Sequence, residues 1–358
     1  MTRNKPRLLV VGSGGVGTIA ALSLTLNDKA EVTMVVRSAY QQIVRDGYTI
    51  NSVTYGNYKN WRPHNVARSV AEASEKFGPF EFLVLTTKNI PDGSITCEDI
   101  IRPAVSEGTT ILLLQNGIGI DEPMRKAFLK NKLLLGILLI GSAVHGTVVE
   151  NVYKDQLTLS PFNGPGQVYD ESMAKLEQFV DLYRNPDPEI NYVKVEECSK
   201  RSRWEKLVYN AVFNTMCALM GADVNRSQIM GANETLFRPA MKEVIAIAAS
   251  EGVTLDELVC DKFLHVGDGL FYSPSMLVDF RKKQLCELEV IVGNPVRIAQ
   301  KNGVSAPVLT TVYHLLKIKQ FTIKEELGMV KIDVSDYQGY SSDDFPQRFA
   351  ELSKNSER

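Results

Sequence analysis

Two groups of residues have the types and spacing to do chemistry. The first is Gly12-Ser13-Gly14-Gly15-Val16-Gly17, which follows the β-rich run Arg7 to Val11 and opens an apolar helical pattern reaching Leu26. Glycines at that point of a strand–turn–helix unit let backbone approach a pyrophosphate, and the new helix offers it unpaired N–H groups. Gly12 permits the turn, Gly14 the close approach, and Gly17 the packing of helix on strand. The competing reading is a tight turn that holds no ligand. Because the loop lies at the first turn of a βαβ unit, all six residues are assigned to a dinucleotide.

The next strand selects among dinucleotides. A site for NAD normally carries Asp or Glu at that strand's end, to hold the ribose 2′-hydroxyl. Here Glu31 to Val36 ends in Arg37, with no carboxylate beside it. A guanidinium suits a 2′-phosphate through charge-assisted, bidentate hydrogen bonds. NADPH is therefore expected over NADH, against the alternative of a solvated strand-end arginine.

The second group is Lys206, Asn210 and Asn214, at i, i+4 and i+8. A regular helix places them on one face. Leu207, Val208, Ala211, Val212 and Phe213 surround them with apolar bulk. A lysine and two asparagines within such a helix cost energy if buried without partners. A cleft holding a polar ligand resolves that cost; a solvent-facing polar stripe is the alternative.

Both groups need elements to position them. Glu31 to Val36, Phe82 to Thr87, Thr110 to Leu114 and Leu133 to Ile140 are strand-like runs alternating with helical stretches. That alternation predicts a doubly wound α/β Rossmann domain, a parallel sheet with helices on both faces. Gly146 to Ser160 reads as a closing hairpin, Pro161 to Gly166 as a loop, Glu171 to Tyr183 as a helix and Tyr192 to Val195 as a strand. After about residue 197 the period becomes helical over Ser202 to Met220, Met241 to Glu251 and Met276 to Asn302. Pro239 marks a kink or a helix start. The expected organisation is a nucleotide-binding domain over 1–196, an all-helical substrate and catalytic domain over 197–330, and a frayed, flexible polar tail over 331–358.

A length of 358 residues suits two domains, and 44% apolar with 23% charged residues is ordinary for a globular chain. A net charge of -2, with both signs interleaved, gives no footprint for nucleic acid or a membrane surface. Cys97, Cys198, Cys217, Cys260 and Cys286 are scattered without ligand spacing, which predicts reduced cytosolic thiols and no metal. Met1 to Pro6 fits no signal peptide, and the apolar stretch Leu133 to Val144 is 12 residues, too short for a bilayer. A soluble, cytoplasmic protein is expected.

Further markers follow in order: Val35-Val36-Arg37, Leu85-Thr86-Thr87-Lys88, Gln115-Asn116-Gly117-Ile118-Gly119, Trp204-Glu205-Lys206-Leu207, Asn210, Asn214, Ser275-Met276-Leu277 and Glu287. In this order and spacing the chain resembles the ketopantoate reductase family of 2-hydroxyacid dehydrogenases, from about residue 7 to about residue 320. The resemblance implies an active site in a cleft between the Rossmann and helical domains. It implies NADPH-dependent reduction of 2-dehydropantoate to pantoate, a step of pantothenate biosynthesis, and leaves a homodimer open. It places Lys88 near the adenosine phosphate, where the residue alone reads as a solvated lysine. Asn116, otherwise a turn residue, would contact cofactor and substrate. Thr147 would give a backbone contact to the cofactor, with His145 structural.

Ketone reduction needs a hydride at carbon and a proton at oxygen. Lys206 is the choice for the acid, because an ammonium both stabilises the growing alkoxide and donates the proton. Asn210 and Asn214 would orient the substrate carboxylate and hydroxyl, and Ser275 would donate to the carboxylate. The resemblance places Glu287, otherwise an exposed helix glutamate, on a C-terminal helix, where as a second catalytic residue it would contact cofactor or substrate across the cleft. Asn225 matches a further family asparagine at one residue's longer spacing.

Departures fall on the substrate side. Tyr272 stands where the family has asparagine, Pro274 precedes Ser275, and the family's Asn-Gly step appears as Val292-Gly293 followed by Asn294-Pro295. Three readings result: a 2-dehydropantoate reductase, the same mechanism on an aromatic or bulkier branched 2-oxo acid, or a non-catalytic NADP(H)-binding regulatory protein. Retention of Lys206 and Glu287 argues against the last.

Overall fold

The computed structural model describes residues 5–162, 164 and 167–356. Met1 to Asn4, and Asn163, Pro165 and Gly166 of the expected loop, lie outside the described residues. The strands are β1 (Arg7–Val11), β2 (Glu31–Val35), β3 (Tyr48–Ser52), β4 (Gly56–Trp61), β5 (Asn65–Ala67), β6 (Phe82–Leu85), β7 (Thr110–Leu113), β8 (Leu133–Leu139), β9 (Ser142–His145), β10 (Val148–Asn151), β11 (Asp155–Pro161) and β12 (Asn191–Val195).

The main sheet has eight strands in the order β12-β11-β8-β7-β6-β1-β2-β5. From β8 to β5 every neighbouring pair is parallel. Numbered among themselves, those strands follow the 3-2-1-4-5-6 order of the Rossmann fold. β11 joins β8 antiparallel and carries β12 at the edge. Side chains alternate across the sheet, so Leu8 and Val10 face one core while Leu9 and Val11 face the other. The first core is closed by helices Gly15–Leu26 and Tyr169–Tyr183 and by a second sheet. The second core holds helices Val70–Phe77, Cys97–Ile101 and Asp121–Ala127, and runs on into Trp204, Leu207 and Val208. One continuous core therefore joins the sheet to the C-terminal helices.

The second sheet, β4-β3-β10-β9, was not foreseen. The hairpin expected over Gly146 to Ser160 is corrected: the turn at Gly146 joins β9 to β10, and β11 leaves for the main sheet. Buried Asn151 makes the exit, donating to the carbonyls of Ile140 and Tyr153 at 2.8 Å each. Behind it the buried Asp155 carboxylate accepts from the Tyr55 hydroxyl at 2.6 Å and the Tyr183 hydroxyl at 2.7 Å. That network pins the second sheet and a helix onto β11.

Past β12 the described chain is helical. Lys200–Tyr209, Asn210–Asn214 and Thr215–Met220 form one continuous helix whose middle segment is a wide, π-helical turn. Pro239 starts a helix, Arg238–Ser250, directly after another wide turn, Asn233–Phe237. The single helix expected over Met276 to Asn302 is corrected to Ser275–Arg281 and, after a break, Glu289–Gly293 running into Asn294–Asn302. Lys283 makes that break at φ 51°, in the left-handed region. Helix Pro307–Glu326 escaped the sequence reading. The expected frayed tail is corrected as well: Phe345–Ser356 is helical, and Phe349 packs edge-on to Phe321 at 5.5 Å. Among the described residues no helix is long and apolar enough to cross a membrane.

Candidate active site

The glycine loop closes on itself by contact. Gly12 has φ 122°, and a Cβ there would lie 2.5 Å from Thr86 Oγ1. A Cβ on Gly17 would lie 1.9 Å from the Gly12 carbonyl oxygen. Gly14 differs: nothing lies within 4 Å of its Cβ position, no side chain caps the helix it begins, and no acid sits in the first turn. Ser13 is half-buried in the turn, and Val16 packs on the core beneath it. Gly15 rests on Ser142 of β9, whose carbonyl oxygen would be 2.5 Å from a Cβ. The hydroxyls of Thr18, Tyr48 and Ser142 are buried without hydrogen-bond partners among the described residues. An open approach at Gly14, free helix N–H groups and orphan hydroxyls fit a dinucleotide phosphate with its waters.

Arg37 is exposed just past β2, and its guanidinium has no partner among the described residues. The Val36 N–H donates to the Ala67 carbonyl at 2.9 Å, which sets Arg68 beside it at the end of β5. The Arg68 guanidinium lies 4.7 Å over the Tyr40 ring, a second cation that sequence reading missed. Thr147 lies in the β9–β10 turn, where its carbonyl accepts from the Thr49 N–H at 3.0 Å. His145 ends β9 and is exposed.

The two halves of the chain meet in a chain of hydrogen bonds. Lys206 Nζ donates to Asn116 Oδ1 at 2.8 Å and to the Leu138 carbonyl at 2.7 Å. Asn116 Nδ2 donates to Glu287 Oε2 at 3.2 Å, and the Asn89 N–H to Glu287 Oε1 at 3.0 Å. Gly117 makes this approach possible, because a Cβ on it would lie 2.5 Å from the Val290 carbonyl oxygen. That carbonyl belongs to the wide turn Glu289–Gly293 and accepts from the Ile118 N–H at 2.8 Å. Asn294 Nδ2 donates to the Ile118 carbonyl at 2.6 Å, so the departure from the family's Asn-Gly step also serves as a clamp.

Burial, and after it neighbouring Arg203, pull the Lys206 pKa down to about 8 against the opposing effect of Glu287. Burial pushes the Glu287 carboxyl up, against the Asn89 N–H, the Asn116 amide and Lys88, while Asp279 adds to the rise. Glu287 is thus neither exposed nor within a helix, but buried just before one. Lys88 Nζ pairs with Asp279 Oδ1 at 2.6 Å, bridging the end of β6 to helix Ser275–Arg281. Ser275 begins that helix, exposed and without a side-chain hydrogen bond among the described residues.

Asn210 and Asn214 are 6% and 3% exposed, and neither amide has a hydrogen-bond partner among the described residues. Asn210 lines a small cavity with Gln115, Asn116, Gly117, Arg203 and Lys206. Asn214 does not line it. The wide turn adds a residue to the repeat, which breaks the i, i+4, i+8 alignment expected from a regular helix. Asn225 Nδ2 donates to the Gly267 carbonyl at 3.2 Å, a loop contact.

The family model for ketopantoate reductase PanE/ApbA matches residues 8–164, and the model for its C-terminal part matches residues 199–320. The chain belongs to the ketopantoate reductase family. It is therefore an oxidoreductase by family. It is 40% identical to an uncharacterized protein of Saccharomyces cerevisiae over 351 residues, which covers 91% of this chain and 97% of the relative. The structure of 2-dehydropantoate 2-reductase from Methylococcus capsulatus aligns with TM-score 0.74 and 29% identity over 88% of this chain and 97% of that one. A D-mandelate dehydrogenase solved with NADH and anilino(oxo)acetate shares the fold, with TM-score 0.75 at 19% identity over 89% and 99% of the two chains.

Within the family frame, the departure at Tyr272 has its own support. Its hydroxyl bonds that of Tyr209, the residue before Asn210. Its ring lies on Gly267, where a Cβ would come 2.7 Å from Tyr272 Cε1.

Proposed function

We propose that this chain reduces a small 2-oxo acid to the 2-hydroxy acid with NADPH, and that 2-dehydropantoate is the first substrate to test. One observation carries the reading: the Lys206–Asn116–Glu287 chain crosses between the sheet and the helices, beside the Asn210 amide in one small cavity. Residues 1–196 serve the cofactor and residues 197–330 the substrate. Gly12 to Gly17, Arg37 and Lys88 would hold NADPH, which supplies a hydride when bound. Thr147 would add a backbone contact to the cofactor through its N–H, since its carbonyl accepts from Thr49.

An ammonium has three N–H donors. Two of those on Lys206 are spent on Asn116 and Leu138, which leaves one for the ketone oxygen as negative charge develops. Lys206 is the catalytic acid, and Glu287 holds Asn116 in place from the other side. Asn210 and Ser275 take the carboxylate, with Asn214 deeper in the helix. Similarity to the Methylococcus capsulatus reductase supports the substrate class.

A second reading keeps the mechanism and changes the acid to a bulkier one. It is favoured by Tyr272 on Tyr209, which puts aromatic surface where the family has an amide. The test is NADPH oxidation against a panel of 2-oxo acids. Oxidation that depends on one acid is expected. NADPH binding with no acid-dependent oxidation would overturn the enzyme in favour of a regulatory protein.

A further inference from the structure

We infer that Arg203 is a positioning residue for this reaction, whose guanidinium fixes the Asn116 turn from both sides and thereby aims the Lys206 ammonium. The inference rests on Lys206 being the acid. Arg203 precedes Lys206 by three residues on helix Lys200–Tyr209, so the two side chains leave neighbouring points of one helix face. Arg203 Nη1 donates to the Gln115 carbonyl at 3.0 Å and to the Gly117 carbonyl at 3.2 Å, the carbonyls of the residues on either side of Asn116. Its Nη2 reaches the Gly136 carbonyl at 3.2 Å. Gly136 lies on β8 two residues before Leu138, whose carbonyl holds Lys206. The two cations thus grip the same loop and strand, one through backbone and the other through the Asn116 side chain.

The donor set explains why arginine stands there. A planar fork can serve three carbonyls at once, whereas an ammonium on a flexible stem cannot span them. No carboxylate lies within ion-pair distance of Arg203 among the described residues; Asp121 acts on it from farther away. Its charge therefore bears on its neighbour. Of the ionisable groups facing Lys206, Arg203 on its own helix disfavours a second positive charge, and Glu287 from the facing segment favours it. Lys88 and Asp279 act in turn on Glu287.

The test uses the full chain with Arg203→Lys and Arg203→Met. It reads NADPH affinity, melting temperature and the pH profile of kcat with the best 2-oxo acid. Arg203→Lys should keep NADPH affinity and the alkaline limb, since the charge stays. It should lose roughly tenfold to a hundredfold in kcat, since the tether goes. Arg203→Met should lose rate similarly, and its alkaline limb should move to higher pH. Wild-type kcat in Arg203→Lys, or an unmoved limb in Arg203→Met, overturns the inference. If neither variant folds, a crystal structure of the wild type decides: a guanidinium held by the Gln115, Gly117 and Gly136 carbonyls supports the tether, and one that has left them overturns it. If the wild type reduces no 2-oxo acid, the reductase reading fails by itself. A crystal structure of Arg203→Lys then decides the tether: a displaced Asn116 supports it, and an unmoved Asn116 overturns it.

Discussion

Lys206 and Glu287 are coupled through a single amide: Asn116 accepts from the ammonium at 2.8 Å and donates to the carboxylate at 3.2 Å. The orientation of that amide follows from its partners, because only its oxygen can accept from an ammonium. Charge on one side of the cleft is thereby set against charge on the other, without direct contact and with a donor left over on Lys206.

That arrangement fixes a pH dependence. Only the ammonium form of Lys206 can give its proton, and its pKa is pulled down to about 8. Activity should be full below that pH and fall above it, well short of the ordinary lysine range. Stability should move the other way. The unfolded chain binds this proton up to about pH 10.4, so stability gained from Lys206 rises with pH between the two values. Lys206→Ala should lower kcat by about 10²–10⁴-fold and remove the alkaline limb, with NADPH affinity unchanged. Lys206→Arg should not restore rate, because guanidinium holds its proton too tightly. A pH–rate profile that keeps its limb in Lys206→Ala would place the acid elsewhere.

Cofactor choice is tested at the end of β2. Arg37 has no partner to lose, so Arg37→Ala should leave folding intact. A charge-assisted contact to phosphate is worth about 1.5–3 kcal/mol, so NADPH affinity should fall about tenfold or more while NADH affinity holds. Arg68→Ala should act in the same direction and less, because its guanidinium is shared with the Tyr40 ring. Calorimetric titration with both nucleotides decides it: equal affinities in the wild type would sink the preference for NADPH.

The legible part of this molecule was local. Glycine spacing and strand-end residues announced the Rossmann half, because turn chemistry and burial act over a few neighbouring residues. The β3–β4 hairpin stayed hidden although Tyr48, Ile50 and Ser52 alternate inward, because β4 is largely exposed and Asn60, at φ 56°, breaks its period before Trp61. The break at Lys283 carries no glycine or proline to mark it. The wide turn at Asn210 to Asn214 leaves residue types unchanged while shifting which face each occupies. Arg203 and Arg68 owe their places to tertiary contacts, although the three-residue spacing of Arg203 from Lys206 was a signal available to be used. In the tail, Phe345, Phe349 and Leu352 fall at helical spacing and could have been read.

Asp155 offers a stability test away from the cleft. It is wholly buried, its Oδ2 takes both tyrosine hydroxyls, and its Oδ1 has no partner among the described residues. Burial pushes its carboxyl pKa up against those two hydrogen bonds. A raised folded pKa means its contribution is fully present below the unfolded value of about 3.9 and is lost as pH rises through the folded value. Asp155→Asn keeps an acceptor for the hydroxyls and should remove that pH dependence from the melting curve. Tyr55→Phe should cost about 1–3 kcal/mol by leaving the carboxylate short of a donor. Identical pH dependence of melting in wild type and Asp155→Asn would show that Asp155 does not titrate in this way.

Substrate choice is tested at Tyr272. Tyr209 is braced edge-on by Phe213 at 5.0 Å and by Phe263 at 5.5 Å between ring centroids, so the hydroxyl pair sits on a packed aromatic base. Two phenols bonded to one another have less to offer a substrate hydroxyl than an asparagine amide with free donors and an acceptor. Their rings offer apolar surface instead. Tyr272→Asn should therefore move the ratio of kcat/KM toward 2-dehydropantoate, which carries a hydroxyl, and away from phenylglyoxylate, which carries a ring. One methylene's worth of apolar contact in a pocket already shifts such ratios by roughly 10–200-fold, so a change of at least about tenfold is expected. Tyr209→Phe separates the two contributions, because it keeps the ring and removes one hydroxyl. It should loosen Tyr272 and alter the ratio less than Tyr272→Asn does. The measurement is kcat/KM for both acids in the wild type and both variants, at saturating NADPH. A ratio that stays fixed in Tyr272→Asn, with the protein folded and NADPH bound, means that Tyr272 packs the helical domain and does not meet the substrate.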